Sequence, residues 1–202
     1  MAEKKQDLRE DLLKSARKLL VKKGYKGFSL REVARETGVS PTSVYLHFEN
    51  KDHLTHTLME RSIDDLNNRL QQVFMNANDP IDRLEKFAAA YTEYALEHPR
   101  EYQIIYVVSS DEMSRYPKKK FRKARRGYEL LTETIQDAVE QNILAESDPR
   151  TAAYTFWAQL HGVMSVVLSK RLDSRINQQE FIEQAISHII HGFHVRTALQ
   201  PQ

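Results

Sequence analysis

Side chains that can read the edges of base pairs are grouped in a short segment near the start of the chain, and their spacing turns them to the outside of a helix. Hydroxyl and imidazole groups exchange hydrogen bonds with base edges in the major groove, and an exposed leucine can pack against the methyl group of thymine. The residues concerned are Thr42, Ser43, Leu46 and His47. The first 56 residues also hold twelve Lys and Arg against eight Asp and Glu, which favours a polyanionic partner, although a solvated helix face gives the same excess.

Two short helices must hold these side chains, and the sequence marks where each one begins and ends. Ser29 and Glu32 form a capping box, and Gly38 allows the positive φ that the next turn requires. Ser40 followed by Pro41 starts the second helix, and we expect about eight residues in each helix. The residues predicted to pack inward are Val33, Ala34, Val39, Val44 and Phe48. This is the pattern of a helix-turn-helix motif, whose second helix enters the major groove of DNA.

Residues 8–56 resemble the DNA-binding domain of the TetR/AcrR transcriptional regulators in order and in spacing. The matching residues are Ala16, Gly24, Tyr25, Val33, Ala34, Gly38, Val39, Ser40, Tyr45, His47, Phe48, Lys51 and Leu54. Residues 57–202 agree with that family only in the number and length of their helices. Thr42 departs from the pattern, because family members often have glycine or another small residue there, and this leaves the DNA sequence open.

The resemblance implies a role for further residues of this segment. Tyr45 and Lys51 would contact backbone phosphate, through a phenol hydroxyl and through an ammonium group beside the amides of a helix N-terminus. Ser29 and Arg31 would touch the opposite backbone of the DNA. Ser29 and Ser40 have a second interpretation, in which they only cap their helices, and the two roles are compatible.

Helical periodicity and capping residues continue through the whole chain, and they predict an all-α fold of about nine helices without a strand. Besides the two short helices, the predicted segments are residues 5–23, 51–75, 80–98, 102–109, 118–141, 149–172 and 178–199. We expect residues 1–50 to form a helix-turn-helix DNA-binding domain. Residues 51–202 would form a larger domain for ligand binding and dimerisation, with residues 51–75 as the connecting helix.

Aromatic residues are dense on the central helices, and we expect several of them to line a ligand pocket. Buried tyrosine hydroxyls need hydrogen-bonding partners, which suits a roomy amphipathic pocket better than a tight core. His161 has two interpretations, a polar anchor in this pocket or a core histidine bonded to a backbone carbonyl. The candidate ligand-binding residues are Phe87, Tyr91, Tyr94, Tyr102, Tyr106, Arg122, Arg125, Tyr128, Trp157 and His161.

The segment 118–126 contains seven basic residues in nine and has two interpretations. It is either a solvated helix turn or a surface for the phosphates of a ligand or of DNA, since arginine pairs phosphate through two hydrogen bonds. The pocket chemistry favours a small hydrophobic effector with one polar end. One candidate is a fatty acyl-CoA or another lipid-like molecule, with its phosphates on Arg122 and Arg125, and the other is a hydrophobic drug or metabolite of another kind.

The last two long helices contain more apolar surface than one domain of this size needs, and we expect them to pack against a second copy. Small residues on the first of these helices would allow close approach, and the second helix has a broad apolar stripe. The candidate dimer-interface residues are Ala158, Gly162, Phe181, Ala185, Ile186, Ile189 and Phe193.

Several classes of protein are excluded by composition and by the lack of motifs. The chain has 202 residues, of which 29% are charged and 41% hydrophobic, and no cysteine, which rules out disulfides, cysteine zinc sites and thiol catalysis. No catalytic motif is present, and His188, His191 and His194 are spaced around their helix rather than along one face, so we predict no catalytic residue, cofactor or metal. The charged N-terminus and the lack of a long apolar run predict a cytoplasmic protein without a membrane span.

Together these observations predict a transcriptional regulator and not an enzyme. The resemblance implies a repressor that binds a pseudo-palindromic operator in double-stranded DNA as a homodimer and is released by the small hydrophobic effector. The alternative is a ligand-independent regulator, in which the larger domain serves only dimerisation and the binding of protein partners.

Overall fold

Helices make up most of the chain in a computed structural model, which describes residues 2–106 and 118–194 and, within them, the side chains of residues 7–106 and 125–193. In these ranges the structure has nine helices and no strand, and the predicted all-α fold is confirmed. The helices are α1 (Ala2–Lys23), α2 (Leu30–Thr37), α3 (Pro41–Tyr45), α4 (Lys51–Asn76), α5 (Pro80–Glu97), α6 (Pro99–Tyr106), α7 (Lys118–Glu140), α8 (Pro149–Leu168) and α9 (Gln178–His194). Among the described helices, none combines the length and the apolar character that crossing a bilayer requires.

The capping residues predicted from the sequence begin and end these helices. The Ser29 hydroxyl accepts a hydrogen bond from the Glu32 amide at 3.3 Å, and the Glu32 carboxylate accepts one from the Ser29 amide at 3.1 Å. Asp148 caps α8 by accepting from the Arg150 amide at 3.0 Å. Gly38 ends α2 with a φ of 76°, a left-handed conformation that glycine adopts without the steric cost of a Cβ atom.

Two later helices have boundaries that differ from the predicted ones. α6 begins at Pro99 rather than at residue 102, because proline suits the first turn of a helix, where its missing N–H has no partner to lose. α8 ends at Leu168, four residues early, because Lys170 takes a positive φ of 56° and its amide bonds back to the carbonyl of Val167 at 3.0 Å. The predicted residues 107–109 and 195–199 lie outside the described part of the chain.

The chain folds as two compact units. The first unit, the head, comprises Met1–Asp64 and Arg100–Ala124, and the second, the body, comprises Asp65–Pro99 and Arg125–Gln202. The domain boundary that the sequence predicts, after residue 50, is at the start of α4. The head extends beyond it, because it also includes the first half of α4 and the described residues of α6 from Arg100 onwards.

The core of the head is built by α1, α2, α3, the start of α4 and the segments that join these helices, with one contribution from α6. Its members are Leu12, Leu13, Ala16, Leu19, Leu20, Phe28, Leu30, Val33, Ala34, Val44, Phe48, Leu54, Leu58 and Ile104. Ile104 is 1% exposed, and Arg17 of α1 donates to Glu101 of α6 at 2.7 Å. These contacts make α6 a structural part of the head although it follows α5 in the sequence.

The body has an aromatic core in which α5 packs on both α8 and α9. The ring of Phe156 on α8 meets Phe87 of α5 edge-on at 6.4 Å between centroids and Phe193 of α9 at 5.7 Å. Tyr91 and Tyr94 of α5 are almost completely buried. The body therefore buries several of the aromatic side chains predicted to line a pocket.

Candidate nucleic-acid interface

α3 and the turn after it present polar and apolar side chains to solvent. Tyr45 is 54% exposed and Leu46 is 73% exposed, and Thr42 is exposed beside them. Val44, on the opposite side of the same helix, is completely buried in the head. Thr42 and Leu46 therefore face solvent and Val44 faces the core, as the spacing predicted, whereas Ser43 and His47 are half-buried.

α3 is shorter than predicted, with five residues instead of about eight. Ser40 caps it by accepting from the Ser43 amide at 3.2 Å, and the two hydroxyl groups lie 2.9 Å apart. The helix ends early because the His47 amide bonds to the Val44 carbonyl three residues back, at 2.9 Å, which tightens the chain into a turn. Leu46 and the half-buried His47 thus lie in this turn rather than on the helix.

The two residues that we expected to touch the opposite DNA backbone are at the start of α2, where Ser29 is the N-cap and Arg31 lies in the first turn. Arg31 is exposed, and Ser29 is exposed with its hydroxyl in the capping box, so the capping interpretation is confirmed and its DNA contact stays a prediction. Lys23 of α1 donates to the Glu32 carboxylate at 2.7 Å and holds the pKa of that carboxyl below its ordinary value. The negative charge of Glu32 is thereby paired, which reduces its repulsion of a phosphate backbone.

Lys51, the predicted phosphate ligand, lies against the loop between α1 and α2. Its ammonium group donates to the carbonyl oxygen of Tyr25 at 2.9 Å and to that of Phe28 at 3.3 Å. The amide of His53, one of the first in α4, is already bonded to the Asn50 side chain at 2.8 Å. The sequence carries no signal for these contacts of Lys51, because a carbonyl acceptor is present at every residue.

Aromatic residues of the body form a continuous cluster between α7 and α8. Tyr128 stacks on Tyr154 at 4.8 Å and meets Trp157 edge-on at 5.1 Å, and Trp157 stacks on His161 at 5.2 Å. The Tyr91 hydroxyl lies 3.5 Å from Nδ1 of His161. Burial lowers the pKa of the His161 imidazole, which favours its neutral form. Tyr154 was not among the predicted ligand residues, although its position three before Trp157 places it on the same helix face.

Three further ligand candidates have aromatic contacts of their own. Tyr102 and Tyr106 lie on α6, in the part of the chain that groups with the head, and the centroids of their rings are 4.8 Å apart. Tyr94 pairs with His98 at 5.1 Å. Arg125 is exposed, and the side chain of Arg122 lies outside the described residues. The assignment of all ten residues to a ligand pocket stays a prediction.

The predicted dimer residues on α8 and α9 divide into exposed and buried ones. Ala158 and Gly162 are exposed, and a Cβ atom built on Gly162 would meet nothing within 4 Å. Ile189 and Phe193 are 6% and 7% exposed, because α9 packs against α5 and α8 of its own chain. The other three, Phe181, Ala185 and Ile186, are half-buried.

A groove of about 410 Å³ lies between α8 and α9 and was not predicted. Its floor is apolar and its walls are polar or acidic. The residues lining it are Glu146, Ser147, Asp148, Thr151, Ala152, Thr155, Gln159, Ile189, Gly192 and Phe193. Threonines four residues apart on α8 are the signal that marks this face in the sequence, since they share one side of a helix.

Two family models match the chain and cover its two ends. Residues 12–58 match the model of bacterial regulatory proteins of the tetR family, and residues 84–189 match the model of the tetracyclin repressor-like C-terminal domain. The second match spans more than half of the chain. The first match contains the helix-turn-helix. It also contains every described core residue of the head except Ile104 of α6.

Individual proteins resemble the chain over part or nearly all of its length. KstR2 from Mycolicibacterium smegmatis, an HTH-type transcriptional repressor, is 28% identical over 117 residues, which are 58% of this chain and 57% of KstR2. The chain thus matches little more than half the length of this curated relative. The TetR family transcriptional regulator PfmR from Thermus thermophilus superimposes with a TM-score of 0.72 at 22% identity, over 89% of this chain and 97% of PfmR. AibR, solved in complex with isovaleryl coenzyme A and operator DNA, has a TM-score of 0.70 at 17% identity, over 89% of this chain and 96% of AibR.

Proposed function

Because the chain belongs to the tetR family of bacterial regulatory proteins, we propose that it is a DNA-binding transcriptional regulator. In its full form the proposal is a repressor that binds a pseudo-palindromic operator as a homodimer in the cytoplasm and is released by a small hydrophobic effector. Its role is regulatory and not catalytic, as in the rest of this family. The exposure of Tyr45 and Leu46 at the end of α3 is the observation that carries the proposal.

DNA reading is assigned to α3 and the turn that follows it. An exposed hydroxyl, a phenol and a leucine next to a buried Val44 give one surface that can enter a major groove about 12 Å wide. Thr42 and Leu46 contact bases, and Tyr45 contacts phosphate. One such short surface gives little specific affinity, which supports the use of two heads on two half-sites.

The exposed face of α8 supports the dimer. Ala158 and Gly162 leave room beside the helix, and the groove along Thr155 and Gln159 continues the same face. Small residues let two helices approach closely, as in bundles formed by two helices of each protomer. The second copy therefore packs on the outer face of α8, with the half-buried residues of α9 at its border.

The effector is assigned to the aromatic cluster of the body. Trp157, Tyr128 and the neutral His161 offer flat apolar surfaces beside a few polar atoms, which suits a hydrophobic molecule with one polar end. AibR binds isovaleryl coenzyme A, and this supports an acyl-CoA as the first candidate for this chain. In the alternative, a ligand-independent regulator, the cluster is only core and no small molecule affects DNA binding.

The experiment that tests the regulator proposal is selection from a pool of random DNA duplexes by the purified full-length chain. We expect enrichment of one sequence with approximate two-fold symmetry, and half-sites separated by about one helical turn of DNA or a multiple of it. A Thr42→Val variant selected in parallel serves as the control for direct reading. Recovery of no preferred sequence by the unsubstituted chain would overturn the proposal.

A further inference from the structure

α5 and α6 follow one another without a loop, and His98 is the single residue between them. α5 ends at Glu97 and Pro99 begins α6. The amide of His98 still bonds to the Tyr94 carbonyl at 2.8 Å, but its φ of −124° and ψ of 54° have left the helical region. A change at His98 therefore acts on the residue that sets the direction in which α6 leaves α5.

Arg69 of α4 holds this corner through its guanidinium group. Its Nη1 atom donates to Oε2 of Glu97 at 2.7 Å, and its Nη2 atom lies 2.9 Å from Nε2 of His98. The guanidinium carbon lies 5.4 Å from the centroid of the Tyr94 ring, within the range in which an aromatic face attracts a cation. The Tyr94 ring is in turn 5.1 Å from the imidazole. We refer to Arg69, Tyr94, Glu97 and His98 together as the corner latch.

The contact between Arg69 and His98 fixes the position of the proton on the imidazole. A guanidinium group has only N–H donors and keeps its positive charge in proteins, so Nε2 of His98 must be the acceptor. The neutral ring therefore carries its proton on Nδ1. The hydrogen bond to Glu97 raises the pKa of the Arg69 guanidinium, which makes the donor more secure. The latch in this form requires a neutral His98.

We propose that a proton on His98 opens the corner latch and thereby regulates how firmly the start of α6 is held. A protonated imidazole has two donors and no acceptor, so the hydrogen bond from Arg69 is lost and two positive groups face each other. Oε2 of Glu97 lies 3.7 Å from Nε2 and can accept from the protonated ring. That oxygen already accepts from Arg69, and the two cations therefore compete for it.

The other charged groups around the latch do not remove this competition. α4 brings Asp65, which is exposed four residues before Arg69 and offers the guanidinium another partner once the corner is released. α5 brings the phenol of Tyr94, which is buried. In the chain after His98, Arg100 is exposed and Glu101 is already bonded to an arginine of α1. The charge of His98 thus decides whether Arg69 holds the corner.

The corner matters because the chain passes there from the body into the head, which includes α6 from Arg100 onwards. Ile104 of α6 is 1% exposed and belongs to the core of the head. A head whose α6 is held less firmly adopts its DNA-binding arrangement for a smaller fraction of the time, which lowers its apparent affinity for DNA. The inference goes beyond the proposed function, and it rests on that function only where DNA affinity is the readout.

The first test determines the proton position directly, by NMR of the imidazole nitrogens in the full-length protein labelled with nitrogen-15. His98→Gln removes one set of signals and so assigns them. We expect the proton on Nδ1 of His98 at about pH 8, and a form with the proton on Nε2 to appear in Arg69→Met, where the donor is absent. A proton on Nε2 in the unsubstituted protein at this pH would overturn the latch.

The second test measures protection against hydrogen exchange at the amides of His98 and residues 102–106, at about pH 8 and about pH 5.5. Corrected for the intrinsic pH dependence of exchange, protection should fall about tenfold at the lower pH in the unsubstituted protein. His98→Gln keeps a neutral acceptor for Arg69 and should keep its protection at both pH values. His188→Gln, at an exposed position of α9, is the matched control and should lose protection like the unsubstituted protein. An equal loss in His98→Gln would overturn the proposal.

A variant of Arg69 keeps the proposal falsifiable if His98→Gln does not fold. Arg69→Met removes the donor, so protection at the same amides should be low at both pH values. Arg100→Met, which removes an exposed arginine two residues after His98, is the control and should keep the loss at the lower pH. A pH-dependent loss of the same size in Arg69→Met would contradict the latch.

The third test measures affinity for the duplex that the protein selects, by fluorescence anisotropy at the same two pH values. The fall in affinity at the lower pH should be smaller in His98→Gln than in the unsubstituted protein or in His188→Gln. An equal fall in all three would overturn the regulatory role of the latch. If the unsubstituted protein selects no duplex, the proposed function fails, and the NMR and exchange experiments still decide whether the latch exists.

Discussion

Tyr45 and Leu46 lie in solvent at a place where the neighbouring Val44 and Phe48 are completely buried. Covering a large apolar side chain lowers the free energy by about 25 cal/mol for each Å² of apolar surface removed from water. At the end of a helix-turn-helix the partner that can cover these groups is DNA. Because the two side chains are exposed in the free head, this favourable free energy is available when DNA binds.

The phenol of Tyr45 and the hydroxyl of Thr42 should have different effects on DNA binding. Tyr45→Phe removes one phosphate hydrogen bond and should weaken binding to every duplex by about 0.5–1.5 kcal/mol, with stability unchanged because the residue is exposed. Thr42→Val keeps the shape and should alter which bases are preferred. Anisotropy with a panel of duplexes measures both, and Tyr154→Phe on the exposed surface of the body is the control. A uniform loss in Thr42→Val would contradict direct reading by this residue.

His161 should make the stability of the body depend on pH. Burial lowers the pKa of its imidazole in the folded protein, whereas in the unfolded chain it stays near 6.5. The free energy of unfolding that depends on neutral His161 is therefore fully present above about pH 6.5. It is lost as the pH falls, because the unfolded chain then binds a proton more readily than the folded protein does. Denaturant unfolding at about pH 8 and pH 5.5 should show a smaller difference for His161→Gln than for the unsubstituted protein. An equal difference in both would refute this role for burial.

At the scale of elements, the exposed residues of α8 allow a test of the proposed dimer that separates association from folding. Ile189→Asp would be an ambiguous test of the dimer, because Ile189 is buried within its own chain and a charge there would also damage the monomer. Ala158 is exposed on α8, so a charge at that position affects the monomer little.

Ala158→Glu should convert the protein to monomers and abolish operator binding at the same time, since one head alone binds DNA weakly. Sedimentation velocity at micromolar concentration measures the first effect, and binding of the selected duplex the second. Gln72→Glu, an exposed position of α4, is the control for an added carboxylate and should stay dimeric. A monomeric unsubstituted protein, or a dimeric Ala158→Glu, would argue against the outer face of α8 as the interface.

The sequence predicts the end of a helix when the residues that cause it are close together in the chain, and it does not predict contacts between residues that are far apart. Ser29, Gly38 and Asp148 act within four residues of themselves, so their residue types were enough to place the ends of α2 and the start of α8. The contacts of Lys51 use backbone carbonyls distant in sequence, which no residue type reveals. The stripe that includes Ile189 has the same spacing whether it faces a core or a second copy, so periodicity alone could not tell the two apart.

At the scale of the whole molecule, effector binding should stabilise the folded protein against heat. A ligand present at a hundred times its dissociation constant adds about 2.7 kcal/mol, which is readily detected as a shift of the melting temperature. We expect a long-chain acyl-CoA such as palmitoyl-CoA to shift the melt, and palmitate to do so less. A flat aromatic cation acting alone would contradict the acyl-CoA assignment, and no shift with any of these ligands would favour the ligand-independent alternative.

Neutral variants of the basic segment distinguish phosphate binding from binding of the acyl chain. Arg122→Gln with Arg125→Gln should remove the difference between palmitoyl-CoA and palmitate, and the exposed Arg150→Gln on α8 is the control. Arg126 is left in place, because it donates to Gln71 at 2.9 and 3.2 Å and to Glu133 at 3.1 Å within the body. An unchanged difference between the two ligands in the double variant would exclude these two arginines.

The position of α6 has a consequence for how such proteins evolve. The head is assembled from two stretches of chain, since Ile104 and Glu101 are separated from α1 to α4 by part of the body. A single genetic crossover near residue 64 would join the first stretch of one protein to the α6 of another, with a mismatched partner for Arg17. Point substitutions on α3 and in the turn after it avoid this penalty, because Thr42 and Leu46 are not members of that core. We therefore expect new DNA specificities in this lineage to arise by substitution at these positions more readily than by exchange of whole heads.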